Sequence, residues 1–216
     1  MRIRFKPWAR PELEASDFYR DNPEELKDKW IKEFKNQNNP INLELGCGKG
    51  QFIAQLAVQN PDINYIAIDL VDAMLGLAKR NVETVYKESK REVENVLLTR
   101  FDIERILLIL SKEDNIKRIY INFCNPWPRG KHHKKRLYIN FCNPWPKGKH
   151  RKKRLTHTRQ LEKYKTFLAE DGEIYFKTDD DDLFNGSLGY FEESGFKILD
   201  KTYDLHAEPI WDNNIE

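Results

Sequence analysis

A short buried strand, followed at once by a glycine-rich turn and a helix, is the feature that most limits how this chain can fold. The strand and turn are INLELGCGKG, from Ile41 to Gly50, and the residues after them, QFIAQLAVQN, repeat their apolar side chains at helical spacing. Glycines at alternate positions let the backbone turn sharply and let a ligand approach it closely. This unit predicts an α/β domain with a binding loop after its first main strand.

The rest of the chain alternates strand and helix patterns. Further strands are indicated at Asn64 to Leu70, Asn95 to Thr99, Ile119 to Phe123 and Glu173 to Thr178. Helices are indicated by the apolar stripe Val71, Met74, Leu75, Ala78, Val82 and Val85, by Ile103 to Leu110, by Leu161, Tyr164, Phe167 and Leu168, and by Leu183 to Glu193. This alternation predicts a parallel sheet covered on both faces, with its ligand site at the carboxyl ends of the strands.

Residues 1–40 precede the first of these strands and carry several large aromatic side chains. We expect them to form an arm or helix that packs on a domain comprising residues 41–216. The longest all-aliphatic run, Ile106 to Leu110, has only five residues, which is far short of a membrane span. The basic N-terminus contains no apolar segment typical of a secretory signal. We therefore expect no membrane association and a cytoplasmic location.

The glycine loop favours one class of ligand. Its glycines, Gly46, Gly48 and Gly50, follow a G-x-G-x-G pattern in which Gln51 stands where a dinucleotide fingerprint needs its third glycine. Glu44 lies on the strand beside the loop, where a carboxylate would repel a pyrophosphate but would attract the ammonium and sulfonium groups of S-adenosylmethionine. A methyl-donor site is therefore favoured over other nucleotide sites, although Glu44 as a helix-dipole partner is a structural alternative.

Two aspartates follow the next strands. Asp69 ends the second strand and is placed to accept hydrogen bonds from ribose hydroxyls. Asp102 follows the third strand, where it would lie near the adenine of the donor. Its structural alternative, an N-cap for the helix that begins at Ile103, is compatible with that role.

A segment of 18 residues occurs twice without a gap. IYINFCNPWPRGKHHKKR runs from Ile119 to Arg136, LYINFCNPWPKGKHRKKR runs from Leu137 to Arg154, and 15 of the 18 positions are identical. One strand of a parallel sheet can be filled by only one copy. We expect Ile119 to Phe123 to form that strand with the second copy looped out, while the alternative places Leu137 to Phe141 in the sheet.

Each copy combines a rigid turn with a basic tail. The two prolines of NPWP restrict the backbone and present an asparagine amide and Trp127 or Trp145, which suit hydrogen bonding and stacking of a base. Residues 119–154 contain 11 Lys and Arg and no Asp or Glu, so the remaining 26 basic and 35 acidic residues leave the rest of the chain at −9. Such a basic strip indicates a polyanion partner, with a solvated loop as the alternative. The equal spacing of Cys124 and His132 with Cys142 and His150 reflects the repeat, and no metal site is expected.

Together these motifs resemble the bacterial tRNA (guanine-N7)-methyltransferases over almost the whole chain. The motifs that carry the resemblance are RFKPWA, LELGCGKGQF, YIAID, FCNPWPKGKH with KKRLTH, IYFKTD and YDLH. The resemblance implies a class I, Rossmann-like methyltransferase fold, S-adenosylmethionine as the methyl donor, and a guanine in the tRNA variable loop as the acceptor. We expect a monomer or a homodimer that binds tRNA.

The resemblance also assigns residues to roles by position. The donor contacts that it implies are Glu44, Asp69, Asp102 and the Asn of NPWP, Asn125 or Asn143, and we expect the loop glycines Gly46, Gly48 and Gly50 beside them. The substrate contacts that it implies are Arg129 or Lys147, and Asp179, and we expect the basic residues Lys131 and Lys149 to hold phosphates. Asp179 and Asn125 are the residues implied at the reacting atoms, with Asp179 in a positioning and electrostatic role because guanine N7 needs no deprotonation. A turn residue in the run Asp179 to Asp182 is the structural alternative.

The chain departs from the family pattern in three respects. Relatives carry one NPWP segment, many of them have Asp in place of its Asn, and they continue beyond NNIE, so we expect the last antiparallel strand of the sheet to be missing. The alternative functions are an RNA-binding protein that has lost catalysis, a methyltransferase for another substrate, and a damaged gene product.

Overall fold

The computed structural model describes residues 5–122 and 148–203, with the backbone alone described for residues 148–150. Its strands are β1 (Tyr19–Arg20), β2 (Ile41–Leu45), β3 (Asn64–Asp69), β4 (Val96–Arg100), β5 (Ile116–Asn122) and β6 (Leu168–Lys177). Its α-helices are α1 (Ala9–Glu14), α2 (Gln51–Gln59), α3 (Asp72–Glu88), α4 (Thr158–Lys165) and α5 (Asp181–Glu193). Short 3-10 helices occupy Pro23–Leu26, Trp30–Glu33, Ile103–Leu108, Lys112–Asp114 and Gly148–Lys153. The predicted α/β alternation is confirmed.

The strands form one sheet in the order β1-β4-β3-β2-β5-β6, and every described pair is parallel. From β2 the chain moves outward through β3 to β4, and from β5 it moves in the opposite direction to β6. Right-handed crossovers therefore place α2 and α3 on one face and α4 on the other. The order reverses between β2 and β5, so their carboxyl ends border the crevice in which such sheets bind ligands.

The two central strands, β2 and β3, are covered on both faces of the sheet. Every residue of β2 and of β3 is buried. Burial on both faces explains the apolar run of β3 from Tyr65 to Ile68, whereas β2 alternates apolar residues with the buried polar residues Asn42 and Glu44. The missing antiparallel strand stays a prediction, because residues 204–216 lie outside the described residues.

The helix predicted after Asp69 is confirmed as α3, which buries Met74, Leu75, Ala78 and Val82. The prediction for the helix before β6 was wrong at its end. That helix, α4, ends at Lys165, and Leu168 already pairs with Ile116 at the start of β6. Apolar residues at the junction satisfied the helical period equally well, so periodicity alone did not separate the helix from the strand.

The N-terminal segment shares the core of the sheet. Helix α1 packs on α3, where Gly76 allows close approach because a Cβ there would lie 2.8 Å from the Ala9 Cβ. Strand β1 extends the sheet by pairing with β4, and the buried Trp30 indole donates a 2.8 Å hydrogen bond to the Ile109 carbonyl. The segment thus contributes a strand as well as the expected helix, while the proposed division at residue 40 stays a prediction.

Both copies of the repeated segment contribute residues to the fold. Strand β5 contains Ile119–Asn122 of the first copy and pairs with β2 on one side and β6 on the other. Arg154, the last residue of the second copy, is 2% exposed and its Nη2 lies 2.6 Å from the Asp182 carboxylate of α5. That guanidinium lowers the pKa of Asp182. Phe123 and the alternative strand Leu137–Phe141 lie outside the described residues.

Removing one repeat length is predicted to preserve the fold. Deletion of residues 123–140 joins Asn122 to Phe141 and keeps both β5 and the buried Arg154. It shortens the connection between Asn122 and Gly148 from 25 residues to 7. Because a shorter connection loses less conformational entropy on folding, we expect the free energy of unfolding in urea to rise by about 1 kcal/mol. Insoluble protein, or a clear loss of stability, would show that residues 123–140 hold the fold together.

The buried arginine is predicted to be a structural anchor. Arg154→Ala removes a buried side chain and its charged hydrogen bond, so we expect a loss of about 2–4 kcal/mol in the free energy of unfolding. The matched control is Arg151→Ala, because Arg151 is exposed and lies 3.5 Å from the same Asp182 carboxylate. An exposed pair of this kind contributes about 0.5 kcal/mol. Equal losses in the two variants would contradict the anchoring role.

Candidate functional site

The carboxyl ends of β2 and β3 bring together the glycine loop, Glu44 and Asp69. Gly46, Gly48 and Gly50 have φ values of 76°, 54° and 67°, all in the left-handed region. Glycine adopts this region without the steric cost that a side chain incurs, so three such residues allow the chain to leave β2 and enter α2 within five residues. The loop backbone consequently turns back on the end of the sheet.

Packing against α3 fixes the far side of this loop. A Cβ on Gly50 would lie 2.6 Å from the Ala78 Cβ, so that position admits only glycine without rearrangement. The Asn81 side chain donates a 2.8 Å hydrogen bond to the Lys49 carbonyl. The loop is thus held by α3 as well as by the strands from which it emerges.

Asp69 holds the near side of the loop. Its Oδ2 accepts a 2.9 Å hydrogen bond from the Gly48 backbone N–H, and its Oδ1 accepts one of 2.9 Å from the N–H of Val71, just before α3. The side chain is buried, and burial raises its pKa while the backbone donors oppose that rise. The ribose contact of Asp69 stays a prediction. Asp69 also has a structural role that the sequence did not indicate, because it joins the glycine loop to the start of α3.

Glu44 has an unusual environment for a carboxylate. Its side chain is 0% exposed, and its Oε1 accepts a hydrogen bond from the Asn122 amide over 3.3 Å. Within the part of the chain that the structure describes, its Oε2 has no hydrogen-bond partner. Burial and, to a smaller extent, the nearby Asp69 carboxylate raise the pKa of Glu44 to about 8, against the opposing effect of the Asn122 amide. A buried acceptor without a donor is costly, and it fits a ligand that brings a positively charged N–H group.

Asn122 is a site residue that sequence analysis missed. It ends β5, the strand next to β2, three residues before the NPWP turn of the first copy. The available signal was its place at the carboxyl end of a predicted strand, but the proline-rich turn drew the interpretation to Asn125.

The aspartates at the ends of β4 and β6 differ in their local roles. Asp102 accepts a 3.0 Å hydrogen bond from the Glu104 backbone N–H and caps the following 3-10 helix, which confirms the N-cap interpretation. Asp179 follows β6 and its side chain is exposed. The surrounding protein still removes part of the water around its carboxyl group, and this desolvation and the neighbouring Asp180 raise its pKa. Asp180, rather than Asp179, caps α5 by accepting from the Leu183 N–H over 2.7 Å. Asp179 is therefore not the residue used for capping.

The other predicted site residues fall on the repeat. Those that lie outside the described residues are Asn125, Arg129, Lys131, Asn143 and Lys147, and for Lys149 only the backbone is described. The basic side chains described after them, Arg151, Lys152 and Lys153, are exposed. Within residues 5–122 and 148–203, no His, Cys, Asp or Glu cluster is arranged to hold a metal ion. None of the helices described there has the length and apolar character to cross a membrane.

Comparison with known proteins finds similar sequences and structures. The profile of a family described as "Putative methyltransferase" matches residues 38–138 and 135–216. Among solved structures, an antibiotic-related methyltransferase is similar over 93% of this chain and 79% of its own, at 17% identity and a TM-score of 0.49.

Curated relatives cover nearly the whole chain. A tRNA (guanine-N(7)-)-methyltransferase of Clostridium beijerinckii is 57% identical over 99% of this chain and 89% of its own length. Proteins of the same name from Clostridium botulinum strain Alaska E43 and Ruminiclostridium cellulolyticum are 54% and 51% identical over 96% and 99% of this chain, and over 86% and 83% of their own lengths. The chain belongs to the family of the bacterial tRNA (guanine-N7)-methyltransferases.

Proposed function

We propose that this protein transfers a methyl group from S-adenosylmethionine to N7 of a guanine in the variable loop of tRNA. The observation that carries the proposal is the buried Glu44 carboxylate beside a glycine loop, at the point where the strand order reverses. Its Oε2 has no partner among the residues that the structure describes. An ammonium group supplies the charge and the N–H donors that this oxygen lacks. Family membership favours the same donor.

The proposed donor site extends along the carboxyl edge of the sheet. Glu44 accepts from the amino group of the donor, and the glycine loop of Gly46, Gly48 and Gly50 lets its backbone approach closely. Asp69 retains free acceptor capacity for the ribose hydroxyls, because each carboxylate oxygen accepts more than one hydrogen bond. Asp102 lies at the adenine end, and Asn125 or Asn143 completes the set.

The chemistry requires positioning rather than proton abstraction. The bound donor supplies an electrophilic methyl group on a positively charged sulfur. The lone pair of guanine N7 forms the new N–C bond as the S–C bond breaks, the bonding electrons return to sulfur, and the positive charge passes to the base. The task of the protein is to align three atoms and to exclude competing orientations, which accounts for much of the rate enhancement in such reactions.

Asp179 and the basic residues of the repeat bind the guanine and the phosphates of the tRNA. The exposed Asp179 carboxylate accepts hydrogen bonds from the N1–H and N2–H edge of guanine and offsets the positive charge that forms on the ring. Arg129, Lys131, Lys147 and Lys149 contact phosphates, which gives affinity without base identity. We further propose that the protein acts on tRNA in the cytoplasm, as a monomer or a homodimer.

Methyl transfer from radiolabelled S-adenosylmethionine to unmodified tRNA tests the proposed reaction. After digestion of the tRNA to nucleosides, we expect the label in 7-methylguanosine, and a transcript with adenine at the acceptor position should remain unlabelled. Label on another base or on protein would contradict the proposal. Salt-sensitive tRNA binding without any methyl transfer would instead support the RNA-binding alternative.

Removal of the Glu44 charge is predicted to weaken donor use. A hydrogen bond to a charged group contributes about 1.5–3 kcal/mol, so Glu44→Gln should lower kcat/KM for the donor by about 10- to 100-fold. Glu94→Gln is the matched control, because Glu94 is exposed and precedes β4 at the opposite edge of the sheet. Similar effects of the two substitutions would show that Glu44 makes no specific contact with the donor.

A further inference from the structure

The last side chain of β5 reaches the buried carboxylate of β2. In the parallel pairing of these strands, Glu44 is in register with Tyr120. Asn122 lies two residues further along and therefore projects from the same face of β5 as Tyr120. Its amide nitrogen lies 3.3 Å from Glu44 Oε1. The contact thus follows from the sheet register at the point where the strand order reverses.

The chemistry of the pair determines how the asparagine is oriented. In the ionised form that pairs with an ammonium group, Glu44 only accepts hydrogen bonds, so the NH₂ group of the amide, and not its oxygen, must face it. Because the amide is neutral, it orients the carboxylate without neutralising its charge. It engages Oε1, and Oε2 is left without a hydrogen-bond partner among the described residues.

We propose that Asn122 is a positioning residue of the methyl-donor site: its amide holds one oxygen of Glu44 and directs the other to the amino group of the donor. The inference rests on the proposed function, because it requires that Glu44 receives that amino group. It assigns a role to the first copy of the repeat that is separate from its NPWP turn. Asn122 acts through Glu44 and has no assigned contact with the reacting atoms.

The electrostatic surroundings give this role a measurable signature. The charged group that disfavours ionisation of Glu44 is Asp69 at the end of β3. The Cys47 thiol in the glycine loop stays neutral beside them, because burial and the two carboxylates raise its pKa well above its usual value. The Asn122 amide opposes them by stabilising the ionised form. Loss of the amide should therefore raise the pKa of Glu44 above its value of about 8, and a larger fraction of the carboxyl would be protonated at neutral pH.

The test uses Asn122→Leu, which removes the amide, and Asn122→Asp, which keeps the size but replaces the donor with an acceptor. Asn140→Leu is the matched control, because Asn140 is the identical residue at the same position of the second copy. The carboxyl carbon of Glu44 is titrated by NMR in full-length protein labelled with ¹³C-glutamate. Its signal is assigned by its absence in Glu44→Gln. Thermal unfolding verifies that each variant is folded.

We expect a Glu44 midpoint of about 8 in the unaltered chain and in Asn140→Leu, and a higher midpoint in both Asn122 variants. Binding of S-adenosylmethionine, measured by calorimetry at pH 7, should weaken about tenfold for each unit by which the midpoint rises. If the unaltered chain binds the donor but the Glu44 midpoint is unchanged in the folded Asn122 variants, the inference is overturned and the proposed function is not. A shift caused by Asn140→Leu instead would also overturn the inference. If the unaltered chain bound no donor, the proposed function would fail, and the inference would fail with it.

Discussion

The geometry of the site depends on the hydrogen bonds that the Asp69 carboxylate accepts. Asp69 ends β3 and accepts one backbone N–H from the glycine loop and one from the residue before α3. Two βα connections are therefore tied to one side chain, and the left-handed glycines keep the conformation that the sharp turn requires. With Gly50 packed against Ala78, the loop is set before any ligand arrives. Such preorganisation lowers the ordering cost of binding.

The buried Glu44 lowers the stability of the folded chain when its carboxyl group is ionised. A carboxyl group whose pKa rises from 4.5 to about 8 on folding stabilises the folded chain in its protonated form. The unfolded chain loses that proton near pH 4.5, so the stability linked to Glu44 falls as the pH rises toward 8. A cationic ligand reverses the penalty because it pairs with the ionised form. A buried carboxyl group that is costly to ionise in the folded chain is thus well suited to recognise an ammonium donor.

Local patterns predicted the elements but not the contacts between them. The β2 strand, the glycine turn and the stripe of α3 followed from periodicity, and the N-cap role of Asp102 followed from its position before a helix. The bonds of Asp69 to Gly48 and of Asn122 to Glu44 join residues 21 and 78 positions apart. They depend on strand order and register, which local periodicity does not encode. The basic run of the second copy was interpreted as an RNA contact, yet its last residue, Arg154, is buried against α5.

The central claim is that the donor binds at Glu44 by converting it from the protonated to the ionised form. Calorimetry of S-adenosylmethionine binding at pH 7, in two buffers with different enthalpies of ionisation, measures the number of protons exchanged. With a Glu44 pKa of about 8, we expect the release of close to one proton per donor bound, and little exchange in Glu44→Gln. Binding without proton release by the unaltered chain would contradict the account.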